Sequence, residues 1–353
     1  MRPLLAVLFL VGRIFSPAYS LVMLVRAYLY RNHIILKSQR LPVPVISIGN
    51  LTLGGTGKTP MVRYVARLLL DRGVRPAIVS RGYGGKAAGR INIVADRTKT
   101  LLPPEMAGDE PFMLAEALPG VPVLTGSQRA RVARHAVEAF GANLIVMDDG
   151  FQHLALRRDL DLVLFSAGTL LGNGRVFPGG ELREPLSALG RAHAFVITGV
   201  DAINRSVVED FHRRLQGSFP AKPVFLGEYL PAGIWHSSRD MACTLAEARS
   251  REVFSFAGIA NPDSFRRTLR QEGFSVTGSK EFRDHHDYTA QDVAALVAAA
   301  RASGARALIT TEKDFVKLRP FFGSFPILAL TIELRMGREF DLFLADHLSR
   351  HAL

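Results

Sequence analysis

The stretch at residues 43–60, VPVISIGNLTLGGTGKTP, restricts the fold of this chain more than any other part of its sequence. An apolar run at 43–48 predicts a buried strand, a glycine-rich turn follows it, and Lys58-Thr59 opens an amphipathic helix. Glycines let the N–H groups of such a turn point inward, and the helix adds its positive N-terminal end, so the pattern predicts a polyphosphate site. Lysine reaches the outer phosphates in such loops, and the threonine hydroxyl can ligate Mg²⁺.

One position departs from the P-loop pattern G-x-x-x-x-G-K-[ST], because Thr52 stands in the place of its first glycine. A glycine-rich turn that binds no ligand is the alternative, but strand, glycines, lysine and helix all occur in the required order. We therefore expect a nucleotide to be bound by eight residues: Thr52, Leu53, Gly54, Gly55, Thr56, Gly57, Lys58 and Thr59.

Strand-like and helix-like segments alternate after this loop, which predicts an α/β fold: a P-loop NTPase-like core, residues 32–221, with a mostly parallel sheet. The strands expected in this core are at residues 43–48, 77–80, 91–94, 121–125, 143–147, 162–165 and 194–198.

A break in composition near Pro220-Ala221-Lys222-Pro223 predicts a smaller C-terminal α/β lobe, residues 222–353. Its expected strands are at 224–230, 253–257, 307–310 and 327–334, and helices are expected at 290–302, with Thr289 as N-cap, and at 339–349. We expect the first and last of these strands to form a two-stranded hinge between the lobes.

The charge of the chain narrows the class of its partner. A formal net charge of +12 over 353 residues indicates an anionic partner: nucleic acid, a phosphorylated substrate or an acidic membrane face. The basic residues are spread along the chain rather than gathered in arms, which disfavours nucleic acid. The single cysteine, Cys243, excludes an intramolecular disulfide framework and suits a reducing compartment.

The N-terminal segment, residues 1–31, is apolar but interrupted by four arginines: Arg2, Arg13, Arg26 and Arg31. Its apolar runs are shorter than the roughly 20 residues that a spanning helix needs. A signal peptide cleaved after Ser20 and an ordinary core helix are alternatives, but Arg13 interrupts the apolar region of the former and a P-loop needs cytosolic nucleotide. We expect a helix lying in the cytoplasmic membrane interface, with its arginines on anionic headgroups.

Two pairs of carboxylates are candidates for catalysis. The apolar segment at 143–147 ends in Asp148-Asp149, an arrangement typical of a Walker B strand, whose carboxylate holds Mg²⁺ or its water. Asp109 and Glu110 stand at the entrance of a helix predicted at 112–118. They either cap that helix and complement its dipole or serve as base and metal ligand.

Substrate-binding candidates follow other segments. Arg81 and Tyr83 come directly after a predicted strand, at the edge where open α/β sheets bind ligands, although a simple turn explains them equally well. The Gly/Pro-rich loop at 173–185 carries Arg183, which could clamp a phosphate bidentately, and Glu184.

In the second lobe, Asp284-His285-His286-Asp287 invites a metal interpretation, but four consecutive residues converge poorly on one ion, and a histidine of a catalytic pair is favoured. Thr311-Glu312-Lys313-Asp314 loosely resembles a base-reading motif of GTPases, and a strand-end turn is favoured instead.

Together these motifs resemble the tetraacyldisaccharide 4′-kinase family, the lipid A kinases of Gram-negative bacteria, from the apolar N-terminus into the second lobe. The segments that carry the resemblance are Ser47-Ile48-Gly49-Asn50, Gly54-Gly55-Thr56-Gly57-Lys58-Thr59-Pro60, Ser80-Arg81-Gly82-Tyr83-Gly84, Gly108-Asp109-Glu110-Pro111, Asp148-Asp149-Gly150-Phe151-Gln152-His153, Leu182-Arg183-Glu184-Pro185, Asp284-His285 and Thr311-Glu312-Lys313-Asp314.

The resemblance implies transfer of phosphate from ATP, with Mg²⁺, to the 4′-hydroxyl of a tetraacylated glucosamine disaccharide 1-phosphate. It also implies a location at the cytoplasmic face of the inner membrane, with an N-terminal membrane-associating helix; we expect a monomer on an anionic membrane surface. A P-loop ATPase or GTPase switch or metallochaperone is the nearest rival, yet the chain lacks a metal-binding Cys/His set. A nucleic-acid-binding ATPase is the other, and no recognition motif supports it.

The resemblance also implies roles for individual residues. Asp109 matches the proposed base of the family and His285 its partner. Lys58, Mg²⁺ and Arg183 are then expected to stabilise charge on the transferred phosphoryl group. The residues expected near the metal are Thr59, one of Asp148 and Asp149, and, as further candidates, Glu110 and Glu184; those expected near the substrate are Arg81, Tyr83, Arg183 and Glu184.

Overall fold

The computed structural model describes residues 3–237, 239–259, 262–284 and 286–350, with the backbone alone at 3–7 and 239–243. Two compact units divide the chain, the first made of Met1–Tyr229 with Leu334–Leu353 and the second of Leu230–Glu333. The helix predicted at 339–349 therefore belongs with the first unit, and the boundary falls some residues beyond the predicted position at 222.

The secondary structure follows the chain in alternating order. The first elements are α1 (Pro3–Gly12), α2 (Ser16–Arg31), β1 (Val45–Asn50), α3 (Lys58–Asp71), β2 (Pro76–Ser80), β3 (Asn92–Ala95), α4 (Pro104–Ala107), α5 (Asp109–Ala117), β4 (Val123–Thr125), α6 (Arg129–Phe140), β5 (Leu144–Asp148), β6 (Leu160–Ser166), β7 (Ala194–Thr198), α7 (Arg205–Ser218) and β8 (Val224–His236). Then come β9 (Arg239–Cys243), α8 (Leu245–Arg249), β10 (Glu252–Ala257), α9 (Pro262–Gln271), β11 (Ser275–Glu281), α10 (Ala290–Ala302), β12 (Ala307–Thr311), α11 (Glu312–Leu318), β13 (Ile327–Met336) and α12 (Arg338–Ser349).

The sheet of the first unit confirms the predicted α/β class with a mostly parallel sheet. Its strand order is β3-β4-β2-β5-β1-β6-β7-β8, and within it only the β3–β4 pair is antiparallel. Every residue of β1 is buried, as expected of a central parallel strand covered on both faces. Because parallel strands end at one edge, the residues that follow β1, β2 and β5 come together there.

Helices cover this sheet through apolar faces at helical spacing. In α3 the buried residues are Met61, Val62, Val65, Ala66 and Leu69. A second apolar cluster contains Phe165 and Phe195 of adjacent strands together with Phe211 of α7, whose ring lies 5.2 Å from that of Phe165. Burial of this area supplies the main stabilisation of the unit.

The N-terminal segment differs from the single helix that we predicted over residues 1–31. It forms two helices, and Pro17 lies in the first turn of the second. Proline is accommodated in a first helical turn but disrupts a helix interior, so a new helix begins here. Among the described residues, no helix has both the length and the apolar composition needed to cross a membrane.

The second unit is a smaller α/β arrangement. Its parallel strands follow the order β11-β10-β12-β13, and the distal part of β8 pairs antiparallel with β9. The core residues Phe256, Leu296, Leu308 and Phe315 pack together between the strands and helices of this unit. β8 and β13 each continue from one unit into the other, and their role as a hinge stays a prediction.

Candidate active site

Side chains at the two ends of the glycine-rich loop between β1 and α3 form hydrogen bonds that stabilise the loop. The amide of Asn50 donates to the Thr52 carbonyl at 2.8 Å, and Lys58 Nζ donates to Asn50 Oδ1 at 3.3 Å. Gly57 has a φ of 76° and precedes α3 without a side chain that could cap it. Because no side chain caps α3, the N–H groups of its first turn remain available at the loop, and such groups bind anions.

Gly57 also makes a close approach that no other residue could make. A Cβ at this position would overlap the hydroxyl of Tyr229 and lie 3.0 Å from Thr198 Oγ1. Thr198 donates from Oγ1 to the Thr56 carbonyl at 2.9 Å. Burial raises the pKa of Tyr229 to about 12, while its hydrogen bond with Thr198 lowers it. The loop therefore rests on a hydroxyl pair that the sequence patterns did not reveal.

Asp148 ends β5 beside the glycine-rich loop, because β5 pairs with β1 and Asp148 lies opposite Ile48. Its side chain is buried, and Oδ1 has no hydrogen-bond partner among the described residues. Burial, and then the charge of Glu110, raise the pKa of Asp148 and the charge of Lys58 lowers it, with a net value of about 7. An unpartnered buried carboxylate oxygen of this kind is costly unless a cation or a proton meets it.

Asp149 is in a different situation although it is the next residue. Both of its oxygens accept from Arg183 Nη1, at 2.8 and 2.9 Å, and Oδ1 lies 3.5 Å from Lys58 Nζ. Burial raises its pKa, but the charges of Lys58 and Arg183 outweigh burial and hold the pKa below its usual value. Its φ of 53° turns the chain so that the two carboxylates face different partners.

Asp109 and Glu110 lie in the first turn of α5, which begins three residues earlier than predicted. Gly108 precedes them with a φ of 88°, and a Cβ there would overlap the Tyr83 carbonyl. The entrance of α5 thus packs on the turn that follows β2. The charge of Glu110 acts on Asp148, so Glu110 lies near the end of β5. That Asp109 belongs to the same site stays a prediction.

The four substrate candidates lie in two kinds of environment. Arg81 donates to the Tyr83 hydroxyl at 2.6 Å, and its guanidinium lies 4.8 Å from the centre of that ring, which is exposed. Arg183 binds Asp149, as described. Glu184 is buried and forms an ion pair of 2.8 Å with Arg191, so it faces away from solvent.

Sequence reasoning missed two further polar residues of this site. Arg129, the first residue of α6, is buried. Its pKa lies below the usual value, first because of burial and then because of the charge of Arg81, although the charges of Asp149 and Asp148 act in the opposite direction. Gln152 donates to the Asn50 carbonyl at 2.9 Å and accepts from Arg183 at 3.4 Å. Arg129 stands four residues after a predicted strand, near the edge where ligands bind, and that position could have pointed to it. Gln152 stood inside a recognised motif without an assigned role.

In the second unit, the sequence favours a strand-end turn for Thr311-Glu312-Lys313-Asp314, but Thr311 ends β12 and the next three residues form the first turn of α11. Thr311 caps α11, and Asp314 accepts from the Gly258 N–H and the Thr311 hydroxyl, both at 2.9 Å. His286 lies 3.2 Å from Asp292. The predicted catalytic His285 lies outside the described residues. Within the described ranges, no group of three or more His, Cys, Asp or Glu residues could hold a metal ion.

Comparisons with known proteins agree across the chain. The family model described as tetraacyldisaccharide-1-P 4′-kinase (LpxK) matches residues 8–349. The chain is 45% identical over 335 residues to tetraacyldisaccharide 4′-kinase of Desulfotalea psychrophila, covering 95% of each chain. It is 43% identical to the enzyme of that name in Geobacter metallireducens, covering 87% of this chain and 88% of the relative.

A solved structure matches over the same extent. The crystal structure of the "apo" form of LpxK from Aquifex aeolicus in complex with ATP aligns with a TM-score of 0.75 and 32% sequence identity. The alignment covers 95% of this chain and 96% of that one.

Proposed function

The chain belongs to the tetraacyldisaccharide 4′-kinase family of lipid A biosynthesis, whose members use ATP, and we propose how its residues perform that reaction. The γ-phosphate of ATP passes to the 4′-hydroxyl of a tetraacylated glucosamine disaccharide 1-phosphate. The observation that carries this proposal is the pairing of β1 with β5, which sets Asp148 and Asp149 beside the glycine-rich loop and Lys58.

The residues of the loop fit a polyphosphate. Backbone N–H groups of residues 52–59 and the N-terminal end of α3 bind the phosphates, and Lys58 leaves Asp149 for the outer phosphate oxygens. Because Asn50 and Asp149 already hold Lys58 within 3.3 and 3.5 Å, its ammonium group stays at the loop before nucleotide arrives.

The residues also fit a divalent cation such as Mg²⁺. Asp148 supplies a buried carboxylate oxygen that lacks a partner among the described residues, and hard oxygen donors are the ligands that Mg²⁺ prefers. We assign Asp148 to the metal rather than Asp149, whose oxygens are engaged by Arg183; Thr59 and Glu110 are the further ligands. When bound there, Mg²⁺ would neutralise charge that develops on the transferred phosphoryl group.

Asp109 accepts the proton of the sugar hydroxyl as that oxygen attacks phosphorus. Support comes from the position of Asp109 in the first turn of α5, directly after Gly108, which packs on the Tyr83 carbonyl in the turn that follows β2. A carboxylate within reach of the sugar hydroxyl can act as a general base. Arg183 adds positive charge beside Asp149 and stabilises the transferring phosphoryl group. The partnership of Asp109 with His285 stays a prediction.

The acceptor enters along the exposed part of this edge. Arg81, steered by the Tyr83 hydroxyl, binds an anionic group of the substrate, and the exposed Tyr83 ring packs on a sugar. Glu184 contributes through its ion pair with Arg191, which holds the loop that carries Arg183.

The N-terminal helices dock a monomer on the anionic cytoplasmic face of the inner membrane. The exposed apolar side chains of these helices and of the turn between them include Leu8, Leu10, Val11, Ile14, Phe15, Leu21, Val22, Leu24 and Val25. Such side chains enter the acyl boundary while the exposed Arg13 and Arg31 meet headgroups, so the acyl chains of the substrate can stay in the bilayer. Arg26, also expected on headgroups, instead binds the Gln152 carbonyl.

One experiment tests the reaction and the base together. The protein is incubated with γ-labelled ATP and a lipid A disaccharide precursor in detergent, and label is followed into lipid. We expect labelled lipid with the wild type, and with Asp109→Ala a loss of kcat of about 100-fold or more at unchanged ATP affinity. Label found only as free phosphate refutes the kinase proposal, and full activity of Asp109→Ala refutes the role of the base.

A further inference from the structure

Helix α2 has two faces of different character. The less exposed positions are Ser16, Tyr19, Ser20, Met23, Arg26, Ala27, Leu29 and Tyr30, and all but Leu29 recur at helical spacing. The opposite face carries exposed apolar residues such as Leu21, Val22 and Val25. A helix that served only as a membrane anchor would need the apolar face alone, so the polar side chains on the other face require an explanation of their own.

That polar face binds the 173–185 loop. Tyr19 donates from its hydroxyl to the Arg183 carbonyl at 3.3 Å, and its ring meets that of Phe177 edge-on with centroids 5.7 Å apart. Ser16 donates to the Val176 carbonyl and accepts from the Gly179 N–H. Burial raises the pKa of Tyr19, which keeps its hydroxyl protonated and able to donate.

The same face binds the turn that follows β5. Arg26 donates from Nη2 to the Gln152 carbonyl at 2.9 Å. Gln152 in turn donates from Nε2 to the Asn50 carbonyl at the end of β1. A charged donor on a partly buried carbonyl forms one of the stronger hydrogen bonds in proteins.

Both attachments reach the backbone of residues, Arg183 and Gln152, whose side chains contact the charges of the phosphate site. The guanidinium of Arg183 binds Asp149 at 2.8 Å and Gln152 at 3.4 Å, and Asp149 lies 3.5 Å from Lys58. Two backbone positions fixed by α2 therefore determine where Arg183, and through it Asp149, can lie. Misplacement of such groups by an ångström is enough to slow an enzymatic reaction strongly.

We propose that Tyr19 and Arg26 are positioning residues of the phosphoryl-transfer site, which fix Arg183 and Gln152 through their backbone carbonyls. The inference rests on the proposed function, since it concerns the rate of that reaction. It assigns α2 a part in catalysis that is separate from attachment to a membrane, and it predicts that loss of these hydrogen bonds lowers turnover where no membrane is needed.

The test compares Tyr19→Phe and Arg26→Gln with wild type in the full chain. Two matched controls replace the same residue types at exposed positions, Tyr28→Phe on the outer face of α2 and Arg40→Gln beyond its end. Activity is measured with precursor in detergent micelles, as kcat and as KM for ATP and lipid. Co-sedimentation with vesicles of anionic phospholipid and thermal unfolding are measured in parallel.

We expect kcat to fall about tenfold in Arg26→Gln, the factor that corresponds to ~1.4 kcal/mol, and about threefold in Tyr19→Phe. Both KM values, vesicle binding and the unfolding midpoint stay close to wild type, the controls keep wild-type kcat, and Arg26→Lys recovers part of the loss.

Wild-type kcat in both variants overturns the inference, as does a loss of kcat that merely parallels lost vesicle binding or lost thermal stability. Tyr19→Phe keeps the ring that packs on Phe177, so it remains informative should Arg26→Gln unfold. A wild type that labels no lipid would instead contradict the proposed function.

Discussion

Replacement of Asp148 by asparagine separates the stability of the unliganded protein from its activity. Asp148 is buried at the end of β5, with one carboxylate oxygen that lacks a partner among the described residues. Burial, and then the charge of Glu110, raise its pKa from 3.8 to about 7. In the absence of a cation, the ionised side chain thus opposes folding, and the neutral amide of Asp148→Asn removes that cost.

The sign and size of the effect follow from linkage. Between about pH 4 and 7 the folded state binds a proton that the unfolded state has released, so the stability of the wild type falls as the pH rises through this window. Above it the cost is on the order of 2–4 kcal/mol, since each unit of pKa shift corresponds to ~1.4 kcal/mol. We expect Asp148→Asn to exceed the wild type by about 1–3 kcal/mol at pH 8, part of the gain being lost because the new amide N–H groups need acceptors.

Urea unfolding with a chelator at pH 5 and pH 8 measures the difference. The advantage of Asp148→Asn should grow by about 2 kcal/mol between the two, and Mg²⁺ with nucleotide should stabilise the wild type more than the variant. Asp161→Asn is the control of opposite sign, because Asp161 is buried but bound by Arg158, so loss of its charge should destabilise. An Asp148→Asn protein that is no more stable than the wild type at pH 8, or equally favoured at both pH values, refutes the reasoning.

Two further substitutions probe the loop and the second unit. In Gly57→Ala the new methyl group overlaps the Tyr229 hydroxyl at a residue whose φ is 76°, so the affinity for ATP should fall by about 30-fold or more. Gly55→Ala is the control, because a Cβ at Gly55 meets open space, and its loss of affinity should be smaller. Equal ATP titration curves for the two variants would exclude this role of Gly57. Asp314→Ala removes the acceptor of the Gly258 N–H, so the free energy of unfolding in urea should fall by about 2–4 kcal/mol. In the control Asp287→Ala, where the replaced side chain is exposed, it should fall by less than ~0.5 kcal/mol. Equal losses in the two variants would contradict the role given to Asp314.

Much of the fold could be predicted because the strands are continuous apolar runs bounded by glycine, proline or charge. β7 and α10 occupy the predicted residues, and Thr289 caps α10 as expected. β11 escaped prediction since SVTGSKE has little apolar pattern and forms a strand by pairing with β10 at the edge of its sheet. The single N-terminal helix was wrong because its apolar composition concealed the break before Pro17.

The sequence allowed us to predict which charged residues gather near the loop, but not which of them form ion pairs with one another. The order of strand, loop and carboxylates identified Lys58, Asp148 and Asp149, since local sequence fixes which residues end each strand. It could not tell the two aspartates apart, because Arg183 binds only one of them across 34 positions. Contacts of that kind, like those of Tyr229 with Gly57, arise from packing and leave no local pattern.

Phosphorus NMR of the lipid product tests the central claim most directly. The protein is incubated with ATP, Mg²⁺ and a tetraacylated glucosamine disaccharide 1-phosphate in detergent, and the lipid is extracted and its spectrum assigned. The account predicts a second phosphate monoester, coupled to the proton at the 4′ carbon, formed in equal amount with ADP. Conversion of ATP to ADP and inorganic phosphate, with the lipid left as a 1-phosphate, would contradict it.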